Sequence, residues 1–575
     1  MRLFRQFHFQ NEKFNLLLIG IIAFAVMLPI LLNGLPRGVD MPHHYQCALT
    51  FYQGFLNGDF YPSWTLDRNL GYGAMELRLY PPVSHYILAL FYVLLRNWHL
   101  ATWLTFTFWA VLGSFGMYFW AREYVSPRDA AFAAALYALA PYNLHRVYLI
   151  FFYSEYAASA ILPFCFAFVA RLARRNQKST PSRSETAWLD VIGLTVSIAA
   201  IILTHLPVTV IGLSALALYS LLIVHWDFRF CLRYFVQLLI AVLVALSATS
   251  FFWIKVLQER FLMAKADIYD QIIPHYENNF LLTAVQSYDE RTEIVYQGVT
   301  LFADLVLLAT LAAIGLSLIG LLKNRSAQNS RLWLGVGITF AITLFLCLIP
   351  SKPLWDALPL LQEVQFPWRW LTVVTLCITL LAARGVKSCF DWFKDKSKRP
   401  LALIAVGLLL FAITFTLKQI VGQALYISAS DGESFVENVG NDKGFEFWWT
   451  IWTRKEIFDI KNKVLAGERS AEIHTWMPTV REFDIAPGEP TTARIAVFYH
   501  PNWQVIINGL AVEPKPDENG ALTFDVHANS SSVKISFDES RWVKVMQCLS
   551  GATWLIILLF STAVVQRKFS RIMIL

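Results

Sequence analysis

The sequence predicts a polytopic α-helical membrane protein of about 12 spans, with a mainly-β extracytoplasmic module just before the last span. Three observations predict it. Of 575 residues, 56% are apolar and only 15% charged, where a soluble chain of this size carries roughly a quarter charged residues. The charge is also uneven: Val421–Met546 holds 18 Asp/Glu and 12 Lys/Arg, whereas the rest of the chain contains runs of about 15 to 25 almost uncharged residues. Such runs have the length and composition of hydrocarbon-spanning helices. Finally, short Lys/Arg clusters separate the runs, as expected of cytoplasmic flanks. A soluble enzyme, a disordered chain and a disulfide scaffold are excluded. The net charge of +7 divides into −6 on the polar segment and +13 elsewhere; basic residues placed between spans argue against a nucleic-acid partner.

The elements follow in order. Met1–Lys13 is basic and leads into an apolar run over 14–32 with no small-residue cleavage site, so an uncleaved first span is expected. Further spans are expected at 101–120, 129–141, 145–170, 188–204, 207–224, 235–252, 298–321, 331–349, 369–383, 401–418 and 548–565. With the N-terminus inside, alternation puts Arg122–Arg128, Arg171–Arg183, His225–Arg233, Lys323–Arg331, Arg384–Arg399 and Gln566–Arg571 in the cytoplasm, and every one carries Lys or Arg. This places the chain in the plasma (inner) membrane with both termini cytoplasmic. Val83–Leu95 is apolar but spans only about 20 Å as a helix, short of the roughly 30 Å core; an interfacial or re-entrant helix on the outer side is expected.

The division is then a bundle over 1–420 with a first outer loop at 33–100, an extracytoplasmic module at 421–545, and a final span with a basic tail at 546–575. Within the module, Ala493–Tyr499 alternates weakly, with Ile495, Val497 and Tyr499 on one face. Asn508-Gly509 and Asn519-Gly520 read as hairpin turns, and Leu522, Phe524, Val526 and Val533, Ile535, Phe537 recur at period two. A small antiparallel, sandwich-like sheet follows. Glu446–Leu465, richer in Trp and Lys, reads as helical. Seven scattered cysteines lack metal or redox spacing.

Four constellations could carry chemistry. In the first outer loop, Asp40 follows the exit of the first span and precedes His43, His44, Arg78 and Tyr80. Asp40 could deprotonate a hydroxyl or ligate a cation beside a phosphate, with His43 and His44 sharing that task; alternatively it caps a helix starting at Pro42. The second turn carries Tyr142 and Arg146, and Glu155 would lie roughly 15 Å further along an unbroken helix. A carboxylate in an apolar run needs a cavity or a partner, and Arg146 can be that partner only if the chain bends back. His205 stands at the outer end of a span, as ligand or as cap. Last, Arg369 between Trp368 and Trp370 could clamp a phosphate bidentately, or snorkel as an aromatic-belt anchor. No phosphate-loop, dinucleotide, zinc-hydrolase or nucleophile-elbow motif is present.

Taken in order, Asp40, Gly58-Asp59-Phe60-Tyr61-Pro62-Ser63-Trp64, Gly71-Tyr72-Gly73, Tyr80-Pro81-Pro82, Pro141-Tyr142, Glu155, His205, Phe366-Pro367-Trp368-Arg369 and Tyr499-His500-Pro501-Asn502-Trp503 resemble the GT-C superfamily of integral-membrane glycosyltransferases. More narrowly they resemble the YfhO-like bacterial membrane proteins and those named for a 6-pyruvoyl-tetrahydropterin synthase-related domain. The resemblance implies a GT-C-like bundle, a polyprenyl-phosphate-linked sugar as donor and transfer to an outer-face acceptor (polymer, lipid or protein). It implies Asp40 as the candidate base or metal-proximal carboxylate; together with the constellations above, Asp40 and Glu155 are expected to be catalytic, and His43, His44, Arg78, Tyr80, Arg146, His205, Trp368 and Arg369 to bind substrate. A divalent cation could sit on Asp40 and Glu155. Asp40 is followed by Met41, not by the second acid many relatives carry, and the zinc-ligand histidines of a soluble pterin synthase are absent. The alternatives are an envelope scaffold or binding protein, or a transporter of lipid-linked substrate, for which inverted repeats are missing.

Overall fold

The computed structural model describes residues 11–66, 68–176, 184–224, 226–264, 276–281, 314–315, 330–440 and 446–574. Its helices run α1 Glu12–Asn33, α2 Met41–Leu56, α3 Val83–Leu95, α4 Trp98–Ala121, α5 Pro127–Ala138, α6 Pro141–Tyr148, α7 Tyr153–Asn176, α8 Ser184–Ile202, α9 Leu206–Ile223 and α10 Phe228–Ala248. They continue with α11 Ser250–Glu259, α12 Ser330–Leu346, α13 Leu371–Lys394, α14 Arg399–Thr416, α15 Gly432–Gly440 and α16 Arg541–Ile574. The chain is a polytopic α-helical membrane protein with a C-terminal mainly-β region before a final apolar helix.

Among the described residues eight helices are long and apolar enough to span: α1, α4, α7, α9, α10, α13 with the turn before it, α14 and α16. The expectation of about 12 spans is therefore corrected. Of the expected spans, 129–141 fails on length, for α5 has only 12 residues, and 188–204 and 331–349 form apolar helices too short to count as spans. α3, expected as an interfacial or re-entrant helix, has 13 residues, about 20 Å of helix. The expected span at 298–321 lies almost wholly outside the described residues. The expected helix over 145–170 is broken: α6 ends at Tyr148, Phe151 takes a left-handed φ of 57°, and α7 restarts at Tyr153. That break turns the chain back on itself and sets the site's geometry. α7 and α13 are the most buried spans; α7 packs on α4, α8 and α9.

A short antiparallel pair, β1 Leu35–Pro36 with β2 Tyr426–Ile427, joins the exit of α1 to the segment after α14, and the β region beyond it is a sandwich. One sheet has the order β3-β6-β10-β9, from Val464–Leu465, Thr491–Phe498, Ala521–Val526 and Lys515–Pro516. The other has the order β4-β5-β11-β7-β8, from Ala471–Trp476, Val480–Ile485, Ser531–Phe537, Trp503–Ile507 and Leu510–Val512. Phe483, Ile485, Val497, Trp503, Leu522, Phe524 and Ile535 share one core. Asn508 and Gly509, with φ of 51° and 85°, make the expected hairpin turn between β7 and β8. Glu446–Leu465 is not a helix: it forms two 3₁₀ turns, Glu446–Trp448 and Lys455–Asp459, and then β3. Nor does β6 alternate, since residues 493–498 are all buried. Its outer face is covered: Phe498 meets Tyr72, Trp449 and Phe458.

This covering comes from the first loop. Trp64, Tyr72, Met75 and Leu79 belong to the sandwich core, and the Tyr72 carbonyl accepts from the Phe498 amide at 3.0 Å. Gly73 sits at φ +82°, where a Cβ would lie 2.0 Å from Trp64 Nε1 and 2.5 Å from the Thr65 carbonyl oxygen. Gly73→Ala should therefore destabilise the protein by about 2–4 kcal/mol, from left-handed strain plus overpacking. A thermal melt in detergent checks this.

Candidate functional site

The site is built on the break between α6 and α7. Because the chain reverses there, Glu155 enters in the first turn of α7 facing back towards α6, and Arg146 reaches it with Nη1 3.5 Å from Oε1. Arg369 approaches from the turn Pro367–Trp370 ahead of α13, its Nε 3.0 Å from Oε2. The Tyr142 hydroxyl donates to Oε1. Arg146, Glu155 and Arg369 are 0%, 2% and 6% exposed, which dismisses the snorkelling reading of Arg369. Its guanidinium lies over Phe366 and Phe152, not between the two indoles as expected; Trp368 instead stacks on those two rings. Nη1 of Arg369 donates to the Val364 carbonyl at 2.8 Å and to Gln365 Oε1 at 2.9 Å. Nη2 has no hydrogen-bond partner among the described residues.

Asp40 stands at the N-cap of α2 without making a side-chain cap bond. Its amide donates to the Ile150 carbonyl at 3.3 Å, which ties it to the same chain break. The carboxylate is half-buried and has no ion-pair or hydrogen-bond partner among the described residues. Burial raises its pKa to about 7; the Arg369 charge opposes that rise and the Glu155 charge adds to it. Tyr80 also feels the charges of Asp40 and Arg369.

His205 caps α9, Nδ1 accepting from the Val208 amide at 3.3 Å. Burial, then the Arg369 and Arg146 charges, hold its pKa well below the usual value, so it stands neutral beside them. His44 Nδ1 lies 3.0 Å from His85 Nε2, and Tyr80 packs edge-on to His43, His44 and His85. The structure thus gathers Asp40, Glu155, His205, Arg146, Arg369, Trp368, Tyr80, His43 and His44 into one neighbourhood.

Arg78 goes elsewhere. Its Nε and Nη2 bind Glu259 at 2.6 and 2.5 Å, and its Nη1 and Nη2 bind Glu539 at 2.7 Å each. Lys255 reaches Glu539 at 2.9 Å. Although burial works the other way, the Arg78 and Lys255 contacts hold the Glu539 carboxyl down to about 2. This cluster fastens the end of the sandwich to the first loop and α11, so Arg78 leaves the group expected to bind substrate.

The expected cation ligands also change. Both Glu155 oxygens are engaged by Arg and Tyr, which leaves it a poor metal ligand. A different cluster can hold a cation: His43, Cys47 and Glu76 are all buried, with ligand atoms within 4.8 Å of one another. Sequence reasoning missed Tyr142 as the Glu155 donor, His85, and the Cys47–Glu76 pairing; the only available signal was Cys47 four residues beyond His43.

A family of membrane proteins described by a 6-pyruvoyl-tetrahydropterin synthase related domain matches residues 77–421. The chain belongs to this family. The matched stretch carries Tyr142, Arg146, Glu155, His205 and Arg369, while Asp40 precedes it. No curated protein matches the chain in sequence. Among solved structures, the archaeal oligosaccharyltransferase AglB from Archaeoglobus fulgidus, in complex with an inhibitory peptide and a dolichol-phosphate, is 13% identical with a TM-score of 0.45; the match covers 75% of this chain and 60% of that one. ArnT from Cupriavidus metallidurans, bound to undecaprenyl phosphate, is 17% identical with a TM-score of 0.41, covering 74% and 68%. The arabinofuranosyltransferase AftD from Mycobacteria is 15% identical with a TM-score of 0.45, covering 71% of this family member and 27% of AftD.

Proposed function

We propose that the protein is a glycosyltransferase that moves a sugar from a polyprenyl-phosphate donor to an extracytoplasmic acceptor. The observation that carries the reading is an unfilled guanidinium donor next to a carboxylate with no partner among the described residues. Two buried guanidiniums share one carboxylate, Arg369 keeps a free Nη2, and an unpartnered carboxylate, Asp40, stands beside them. A phosphate oxygen suits that free donor, as guanidinium groups bind phosphate through paired N–H bonds.

In the transfer, Asp40 takes the proton of an acceptor hydroxyl as its oxygen bonds to the anomeric carbon. The bond from that carbon to the phosphate oxygen breaks, and the polyprenyl phosphate departs with its pair of electrons. Arg369 stabilises the charge that develops there. Arg146 and Glu155 hold Arg369 in place, and neutral His205 and His44 border the space. A small apolar cleft of about 60 Å³ between α5, α13 and α14 is lined by Tyr142, Leu136, Val374, Ile378, Leu409 and Ile413. Its apolar walls lie beside Tyr142, the Glu155 donor, where an isoprenoid unit could pack. The basic N-terminal segment and the basic C-terminal tail support cytoplasmic termini, which an even number of spans allows, and with them an outer-face sandwich, with the bundle at 1–420, the module at 421–545 and the last span at 546–575.

Purified protein incubated with a panel of polyprenyl-phosphate sugars should release polyprenyl phosphate with at least one of them. No release and no binding with any donor, from a folded preparation, would turn the reading to an envelope scaffold.

A further inference from the structure

We infer that His43, Cys47 and Glu76 hold a zinc-class divalent ion that fastens α2 to the first outer loop. His43 and Cys47 are four residues apart, on one face of α2. Glu76 opens the single helical turn Glu76–Leu79, 29 positions beyond Cys47 in the chain. Its Oε2 lies 3.8 Å from His43 Nδ1, and Cys47 Sγ lies 3.8 Å from His43 Nε2. These contacts reach opposite ring nitrogens, so the imidazole must rotate to present one nitrogen to both. Taking one ligand atom from each residue, the three lie within 4.8 Å of one another, against about 3.5 Å around a tetrahedral zinc, and would fill three of its four positions.

The donor set selects the metal. A thiolate, an imidazole and a carboxylate suit a borderline-soft ion and disfavour magnesium or calcium, which take oxygen. Arg68 Nη1 sits 2.5 Å from Glu76 Oε1 and also reaches Gln46 Oε1 at 2.5 Å. It leaves Oε2 to the ion but also lies against Cys47, so ion binding requires the guanidinium to withdraw onto Glu76 Oε1 and Gln46, where it acts as an outer partner. Trp448 stacks on the His43 ring at 5.6 Å and 8°, closing the cluster. All three ligands are buried, so the ion enters as the chain folds.

The ion's role is positional. Asp40 stands at the N-cap position of the same helix, three residues before His43, so tying α2 to the loop at Glu76 fixes where that carboxylate stands. His43 borders the neighbourhood of Asp40, but the metal content and the cobalt spectrum are read without any glycosyl transfer, so failure of this inference and failure of the glycosyl-transfer reading are distinguishable.

The test uses the full chain carrying an affinity tag without histidines, expressed once with zinc and once with cobalt as the supplied metal. Zinc should copurify at about one equivalent per chain, and the cobalt form should show a thiolate-to-cobalt charge-transfer absorption. Cys47→Ser should lose both, while Cys548→Ser, at the exposed free cysteine, and Asp40→Asn should keep both. If Cys47→Ser does not fold, the wild-type cobalt spectrum decides alone. Absence of the thiolate band in wild type, or its survival in Cys47→Ser, overturns the inference.

Discussion

Asp40→Asn is expected to lower turnover by about three orders of magnitude, the scale of a general base placed on its proton, at near wild-type yield. The structure explains why yield should survive. The Asp40 carboxylate makes no cap bond and no ion pair, so an amide removes no contact. The pH dependence follows from the raised pKa of about 7, caused by burial and the Glu155 charge and opposed by Arg369. A base must be ionised, so wild-type rate should rise across about pH 7 and level off above it, with Tyr80, Glu155 and Arg369 the charged or titratable groups facing it.

Stability moves the other way. A carboxyl whose folded pKa lies above its unfolded value loses stability as pH rises from about 4 to about 7. Asp40→Asn should remove that loss and melt no lower than wild type at pH 8. Single-turnover rates and thermal melts from pH 5 to 9 measure both. A flat wild-type rate profile with an active Asn variant would remove Asp40 from the chemistry.

The β region was legible because its signals are local. Asn-Gly turns and period-two runs are read within about ten residues, and Asn508-Gly509 turns where expected. The break at Phe151 was not legible, because the apolar run continues through it and a left-handed Phe has no composition signature. The segment before β3 looked helical by composition, yet its Trp449 is drawn onto Asn69 and Phe498 by contacts with the first loop. The gathering of Asp40, Glu155, His205 and Arg369 could be anticipated, since ionisable groups at similar depth cost less around one polar pocket than apart. Arg78 could not: its partners Glu259 and Glu539 lie 181 and 461 positions away. Nothing in its local sequence separates a docking arginine from a ligand-binding one.

Glu155→Ala should be the most destabilising single change in the bundle. It leaves Arg146 and Arg369 buried, one fully and one nearly so, without the carboxylate they share. Removing one partner of a buried ion pair is worth about 3–5 kcal/mol, and here two cations lose it together. The Tyr142 hydroxyl also loses its acceptor. Glu155→Gln keeps an oxygen for Tyr142 but not the charge, so it should fall between wild type and Ala. Were Glu155 purely a catalytic acid, Gln would be dead and fully stable. With Glu155 as the anchor of both arginines, Gln should lose stability and activity together. The double variant Glu155→Gln with Arg369→Gln should then recover part of the stability, because one unpaired cation goes with it. That recovery is an interaction energy a double-mutant cycle measures directly, and its absence would show that Glu155 and Arg369 do not depend on each other for stability.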